Sequence, residues 1–139
     1  MRGRADQDHL LTARLKWPVF MLSALFLLLG GLCLLAPASA AILYGLESYD
    51  PSALFYVRAI GLRDAALALY LLGLALAGLR RALAIVAVGT LIIPAGDMAL
   101  LAISGAGEPV HYLLHAASFL CFAVLAWVSA RGAADVPSK

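Results

Sequence analysis

Four apolar runs, each long enough to cross a bilayer, leave this chain little choice of fold. Trp17 to Leu46 holds no charge, and Ser52 to Leu79 is interrupted only by Arg58, Arg63 and Asp64. Ala82 to Gly107 is interrupted only by Asp97, and Pro109 to Ala130 only by His111 and His115. A helix needs about 20 mainly apolar residues to cross the hydrocarbon, with every backbone amide satisfied inside it. The runs predict transmembrane helices over 17–38, 52–79, 82–104 and 109–130. Composition agrees: the chain is 64% hydrophobic and 13% charged, where a soluble domain is about half apolar and a quarter charged. A chain this short cannot hide that excess in one core. The expected class is all-α, an integral membrane four-helix bundle. It divides into a tail 1–16, a transmembrane domain 17–130 and a tail 131–139.

Basic residues set the expected orientation. Arg2, Arg4, Arg14 and Lys16 precede the first span, Arg80 and Arg81 join the second to the third, and Arg131 and Lys139 follow the fourth. The other two connections carry acids, Glu47 and Asp50 in one and Glu108 in the other. The positive-inside rule then places both termini in the cytoplasm. On that reading the net charge of +2 reports topology, and nucleic acid is not an expected partner. Tyr44, Tyr49, Tyr56 and Tyr112 fall near the outer boundary, and Trp17 and Trp127 near the inner one, as interfacial aromatics do. The stretch "RLKWPVF…LLAPASAA" imitates a cleavable signal peptide, but its apolar core exceeds the usual ~7–15 residues. It is taken as the first span. Cys33 and Cys121 fall toward opposite leaflets, too far apart for a disulfide.

Polar and small residues recur along one face of each span: Ser23, Gly30 and Pro37; Tyr56, Arg63 and Tyr70; Thr90, Asp97 and Ser104; His111, His115 and Ser118. Such spacings share a face, and small residues let membrane helices approach closely. Depth groups the charges. Arg58 lies about 9 Å below the outer surface, Asp97 about 10 Å, and the two histidines within roughly two turns of it. These four share one expected layer. Arg63 and Asp64 lie deeper, at about 17 Å. Around the second span Arg58 and Arg63 point about 140° apart, which makes that helix the expected centre of the bundle. The same directions leave Asp64 without an assigned partner.

Two arginines and two aspartates could simply pair and hold the helices together. A buried pair often stabilises no more than apolar side chains would, and ionisable groups inside a membrane are a functional-site hypothesis by default. Pro94 removes an amide donor one turn before Asp97, and Gly96 bares backbone beside it. A kink there would open a cavity next to the carboxylate.

The motifs "RAIGLRD" (Arg58, Gly61, Arg63, Asp64), "IPAGD" (Pro94, Gly96, Asp97) and His111 resemble those of a family of small four-helix membrane proteins catalogued only as a domain of unknown function. The resemblance covers roughly residues 17–130. Size and polar layout are also similar to small bacterial membrane-bound terpene cyclases. That likeness implies a bacterial inner membrane and a type II cyclisation, in which a carboxylic acid protonates an alkene or epoxide of a prenyl chain.

The expected function is an enzyme performing acid/base cyclisation or isomerisation on a lipophilic, prenylated substrate. A carboxyl in an apolar pocket can stay protonated and act as a general acid. Asp97 is the first candidate, with His111 or His115 to reload the proton. Arg58 would hold a polar group or tune Asp97, and Asp64 is a further carboxylate candidate. Arg63, Tyr56, Phe55, Phe119 and Phe122 are candidates for substrate binding, the rings stabilising positive charge. His111 and His115 with Asp97 imitate a two-histidine, one-carboxylate metal site. The hydrolytic H-E-x-x-H motif is absent, since Tyr112 follows His111. No metal and no cofactor is expected. The expected partners are the lipid bilayer and a lipophilic small molecule, with room left for a homo-oligomer. The alternatives are a proton-coupled transporter, since Asp/His chains relay protons, and a non-catalytic binding or assembly subunit.

Overall fold

The structure is a computed structural model that describes residues 2–105 and 107–134. Its described residues form six helical segments: α1 (Arg2–Leu35), α2 (Pro37–Leu43), α3 (Pro51–Leu76), α4 (Arg80–Thr90), α5 (Ile92–Ser104) and α6 (Pro109–Ala134). Four stretches are long and apolar enough to cross a membrane: Lys16–Leu35, Pro51–Leu76, Arg80–Ser104 and Pro109–Arg131. The first span continues a helix that already begins at Arg2. Residues 135–139 of the predicted C-terminal tail lie outside the described residues.

Two of the predicted helices are broken, each beside a proline. A residue preceding proline is pushed out of the α region. Ala36 takes φ −135° and ψ 63°, which ends α1 and lets Pro37 open α2. The expected helix 17–38 therefore turns three residues early. Gly45, at φ 84°, closes α2. Leu46 N–H donates to Ala41 O at 2.9 Å and Gly45 N–H to Ile42 O at 3.0 Å, the paired bonds of a Schellman turn. The third span breaks at Leu91, because Pro94 has no N–H to return to the carbonyl four residues before it. Leu91 N–H reaches only back to Val88 O, at 3.1 Å, a tighter turn.

The helices pack as two pairs. α1 lies chiefly against α3, and α6 against α4 and α5; α3–α4 and α1–α6 contacts join the pairs. Glycines bring α1 and α3 into backbone contact. A Cβ on Gly30 would sit 2.7 Å from Gly61 O, and one on Gly61 would sit 2.7 Å from both Gly30 O and Cys33 Cβ. Below the polar layer the pairs share a core that includes Leu67, Leu71, Leu83 and Phe122. Phe26 stacks on Phe122 there with ring centroids 5.4 Å apart. Outside, large apolar side chains face outward on every span, among them Leu28, Leu62, Ile92 and Leu120. A surface this apolar suits contact with lipid.

α3 is not the central helix its scattered charges suggest. It meets α1, α2 and α4, while Tyr56, Arg58 and Tyr70 are exposed. The centre is a space between the two pairs.

Candidate functional site

A cavity of about 130 Å³ occupies that space. Leu22, Phe26 and Leu29 of α1, Ile93 of α5, and Leu114 and Phe122 of α6 give it apolar walls. Tyr44, Arg63, Asp64, Asp97 and His115 supply its charged and phenolic groups.

Asp64 comes from the middle of α3, where the close approach of α1 buries it to 3% side-chain exposure. Its Oδ1 accepts from Arg63 Nε at 3.3 Å and Nη2 at 3.2 Å, and its Oδ2 accepts from the Tyr44 hydroxyl at 3.2 Å. Asp64, which the sequence left without an assigned partner, thus pairs with its own neighbour Arg63 and with Tyr44. Cα–Cβ directions govern short side chains. The long arginine stem wraps around the helix and lays its fork on the adjacent carboxylate.

Asp97 comes from α5, about one turn past Pro94, and its side chain is 31% exposed. His115 of α6, buried, places Nδ1 3.5 Å from Asp97 Oδ2. The contact is an ion pair when the imidazole carries a proton. The Tyr44 ring lies 5.8 Å from the His115 ring, so this tyrosine stands between the two carboxylates.

Tyr44 is the member that sequence reasoning did not place, having read it as an interfacial aromatic. The turn at Ala36 folds α2 back onto α1 and α3, and Gly45 carries the chain onto the other pair. A Cβ there would lie 2.8 Å from the His111 ring and 3.0 Å from Leu101. Only glycine fits, both for its positive φ and for that contact. Pro37 and Gly45, eight residues apart within an apolar run, were the available signal.

The remaining candidates lie elsewhere. Arg58 is exposed, does not line the cavity and has no ion pair among the described residues. Phe55 and Tyr56 are exposed and stack edge-on with each other at 6.1 Å. Phe119 is half-buried outside the cavity, whereas Phe122 forms part of its wall. His111 serves the start of α6, its Nδ1 accepting from the Glu108 N–H at 3.0 Å. Of the layer expected from Arg58, Asp97, His111 and His115, only Asp97 and His115 line the cavity. Among the described residues no three His, Cys, Asp or Glu side chains gather as a metal site would require.

Residues 23–129 match the family described as a domain of unknown function, DUF4267. The chain belongs to that family. The DUF4267 region contains every group of the polar cluster, from Tyr44 to His115. No curated protein and no solved structure matches the chain.

Proposed function

We propose that this DUF4267 protein is a membrane-embedded acid/base catalyst that isomerises or cyclises the end of a lipophilic, prenyl-type molecule. One observation carries the reading: two carboxylates, each with its own basic partner, face one apolar cavity between the helix pairs. Pairs of titratable groups in unlike surroundings are how proteins divide acid from base. Asp97, with one partner and the greater exposure, is the general acid. Its carboxyl proton adds to one carbon of an alkene, and the π electrons form the new C–H bond. Positive charge is left on the neighbouring carbon, close to the faces of Phe26 and Phe122. His115 then removes a proton from the adjacent carbon, and that C–H pair becomes the new double bond. His115, 3.5 Å from Asp97, returns a proton to the carboxylate. Asp64 is held by three donors and fixes Arg63 and Tyr44 around the reacting end.

The cavity sets a size limit. A space of roughly 150 Å³ with apolar walls takes a benzene-sized molecule, so about 130 Å³ admits the reacting end of a prenyl chain. The setting belongs to the same proposal: the four spans cross a bacterial inner membrane with both termini in the cytoplasm, as the basic residues direct.

The test works without a purified or identified substrate. Purified protein is incubated in heavy water with a lipid extract of its host, and prenyl lipids are examined for carbon-bound deuterium by mass spectrometry. Deuterium should enter one lipid class with wild type and not with Asp97→Asn. A proton flux in liposomes without any deuterated lipid would replace catalysis with transport. Equal incorporation by both proteins would remove Asp97 from the chemistry.

A further inference from the structure

We infer that the cavity loads sideways from the hydrocarbon core, through a slot between α1 and α6, and admits a single-chain lipid whose leading end is uncharged. The inference rests on the reading of the cavity as a ligand site, but not on the proton chemistry assigned to Asp97.

The lining residues are not equally enclosed. On the α3, α4 and α5 sides Asp64, Leu67, Thr90 and Pro94 are buried. On the other side Leu25 of α1 and Ala117 and Cys121 of α6 line the cavity and are also exposed outside the bundle. Among the described residues Arg63 is the one other exposed lining residue, and its guanidinium is laid on Asp64. The opening therefore lies where α1 and α6 meet. These two helices touch, Phe26 on Phe122 included, but far less extensively than α1 touches α3.

Depth says what the slot faces. Leu25 is about 15 Å along the helix from Leu35, where α1 ends, and Cys121 is about 18 Å from Pro109, where α6 begins. Half of a ~30 Å hydrocarbon layer is ~15 Å. The mouth thus opens near the bilayer midplane, where acyl chains are the only solvent. An ammonium or phosphate entering there would shed its hydration with nothing to replace it. A hydroxyl, carbonyl, epoxide or alkene can enter without that cost, and the polar groups of the cavity lie beyond its apolar walls. The volume agrees with an open slot: about 130 Å³ holds only the end of a long chain, so the remainder must trail through the mouth into lipid.

The test uses the whole protein in phosphatidylcholine nanodiscs and a diazirine analogue of farnesol, with crosslinked peptides mapped by mass spectrometry. Insertion should concentrate on the cavity walls, Leu67 and Ile93 included, and on the two lips of the slot. Ala117→Phe narrows the mouth from one side and Leu25→Trp from the other, each at an exposed position that the core does not need. Either variant should lower insertion at Leu67 and Ile93 about tenfold while leaving insertion on outward-facing Leu69 unchanged. The diphosphate ester of the same probe should not mark the cavity. Undiminished cavity labelling in both variants would overturn the slot, and cavity labelling by the diphosphate would overturn the uncharged-end rule. Cavity labelling by wild type needs no turnover, whereas deuterium incorporation does, so a failed catalytic proposal and a failed slot give different results.

Discussion

The two helix pairs each deliver one carboxylate and one basic side chain to the same cavity, and they do so in opposite ways. In the α1/α3 pair the carboxylate is Asp64, buried to 3% and held by Arg63 and Tyr44. Its helices are joined by backbone contact at Gly30 and Gly61. In the other pair the carboxylate is Asp97, 31% exposed, with His115 at a looser 3.5 Å. Its helix is interrupted at Leu91. The difference teaches which half is scaffold. A charge with three donors is fixed in place, whereas the charge with one basic neighbour, on a segment that begins at a helix break, is the one to which the proposal above assigns proton exchange.

The largest effect should fall on turnover, through Asp97→Asn. The amide keeps the volume but cannot give up a carboxyl proton, and losing a positioned acid or base costs at least about 10²-fold. Stability should change little, because the Asp97 side chain is 31% exposed and the amide keeps an acceptor oxygen beside His115. Deuterium incorporation and melting temperature on one purified sample check both halves. A variant that melts far below wild type yet turns over normally would make Asp97 the scaffold member and invert the comparison.

Asp64→Asn should reverse that profile. Removing one partner of a buried pair costs about 3–5 kcal/mol when both charges are enclosed. Arg63 is 42% exposed, so solvent relieves part of the loss and about 2 kcal/mol is expected. Thermal unfolding in detergent should show a lower midpoint, and Asp64→Asn paired with Arg63→Met should recover much of it. No recovery in the double variant would mean that the Tyr44 contact, not the ion pair, holds this half together.

Glycines sharpen the contrast at smaller scale. Gly61 has no space for a methyl group, since both neighbours at 2.7 Å belong to or adjoin the α1 backbone. Gly61→Ala should therefore cost about 1–3 kcal/mol through overpacking. Gly89 of α4 has nothing within 4 Å of the same position. Gly89→Ala should instead stabilise by up to about 1 kcal/mol through helix propensity. Opposite signs in one unfolding assay support a tight pair beside a loose one; equal signs would dissolve the distinction.

The four apolar spans were legible because hydrocarbon thickness acts on sequence directly, and all-helical class followed. Asp64, Asp97, His115, Arg63 and Phe122 were legible as polar or aromatic groups on apolar helices, and the cavity contains them. What sequence spacing could not deliver was pairing. Asp64 was left without a partner because helical directions describe Cβ, not the Arg63 guanidinium at the end of a flexible stem. Tyr44 was missed because its place depends on α2 folding back at Ala36, a tertiary event inside what reads as one uninterrupted run. Arg58 shares the expected depth of Asp97 but not its azimuth, and depth alone cannot say which side of a helix faces the bundle. His111 was read as a proton carrier from residue type, whereas its nearest duty is to accept the Glu108 N–H at the start of α6.

The smallest effect tests how the two pairs begin at the end where α2 folds back. α3 starts under Asp50, whose Oδ1 accepts from both the amide and the hydroxyl of Ser52 at 2.7 Å. α6 starts under His111 instead, so acid should act on a carboxylate cap in one pair only. The Ser52 hydroxyl first, and its amide second, hold the Asp50 carboxyl below its ordinary value. A carboxylate whose folded value is depressed stabilises the fold above its unfolded value, near pH 4, and that contribution is lost as pH falls through the lower folded value. Asp50→Asn keeps a side-chain oxygen for capping but removes the titration. The melting temperatures of wild type and variant should therefore differ by a constant amount above about pH 5 and converge below pH 4. Glu47 and the other acids titrate in both proteins and cancel in the difference. Because Asp50 is fully exposed, solvent screens the effect, and the separation should be the smallest of the four. Curves that stay parallel into acid would show that the cap acts as a hydrogen-bond acceptor alone, with no share for its charge.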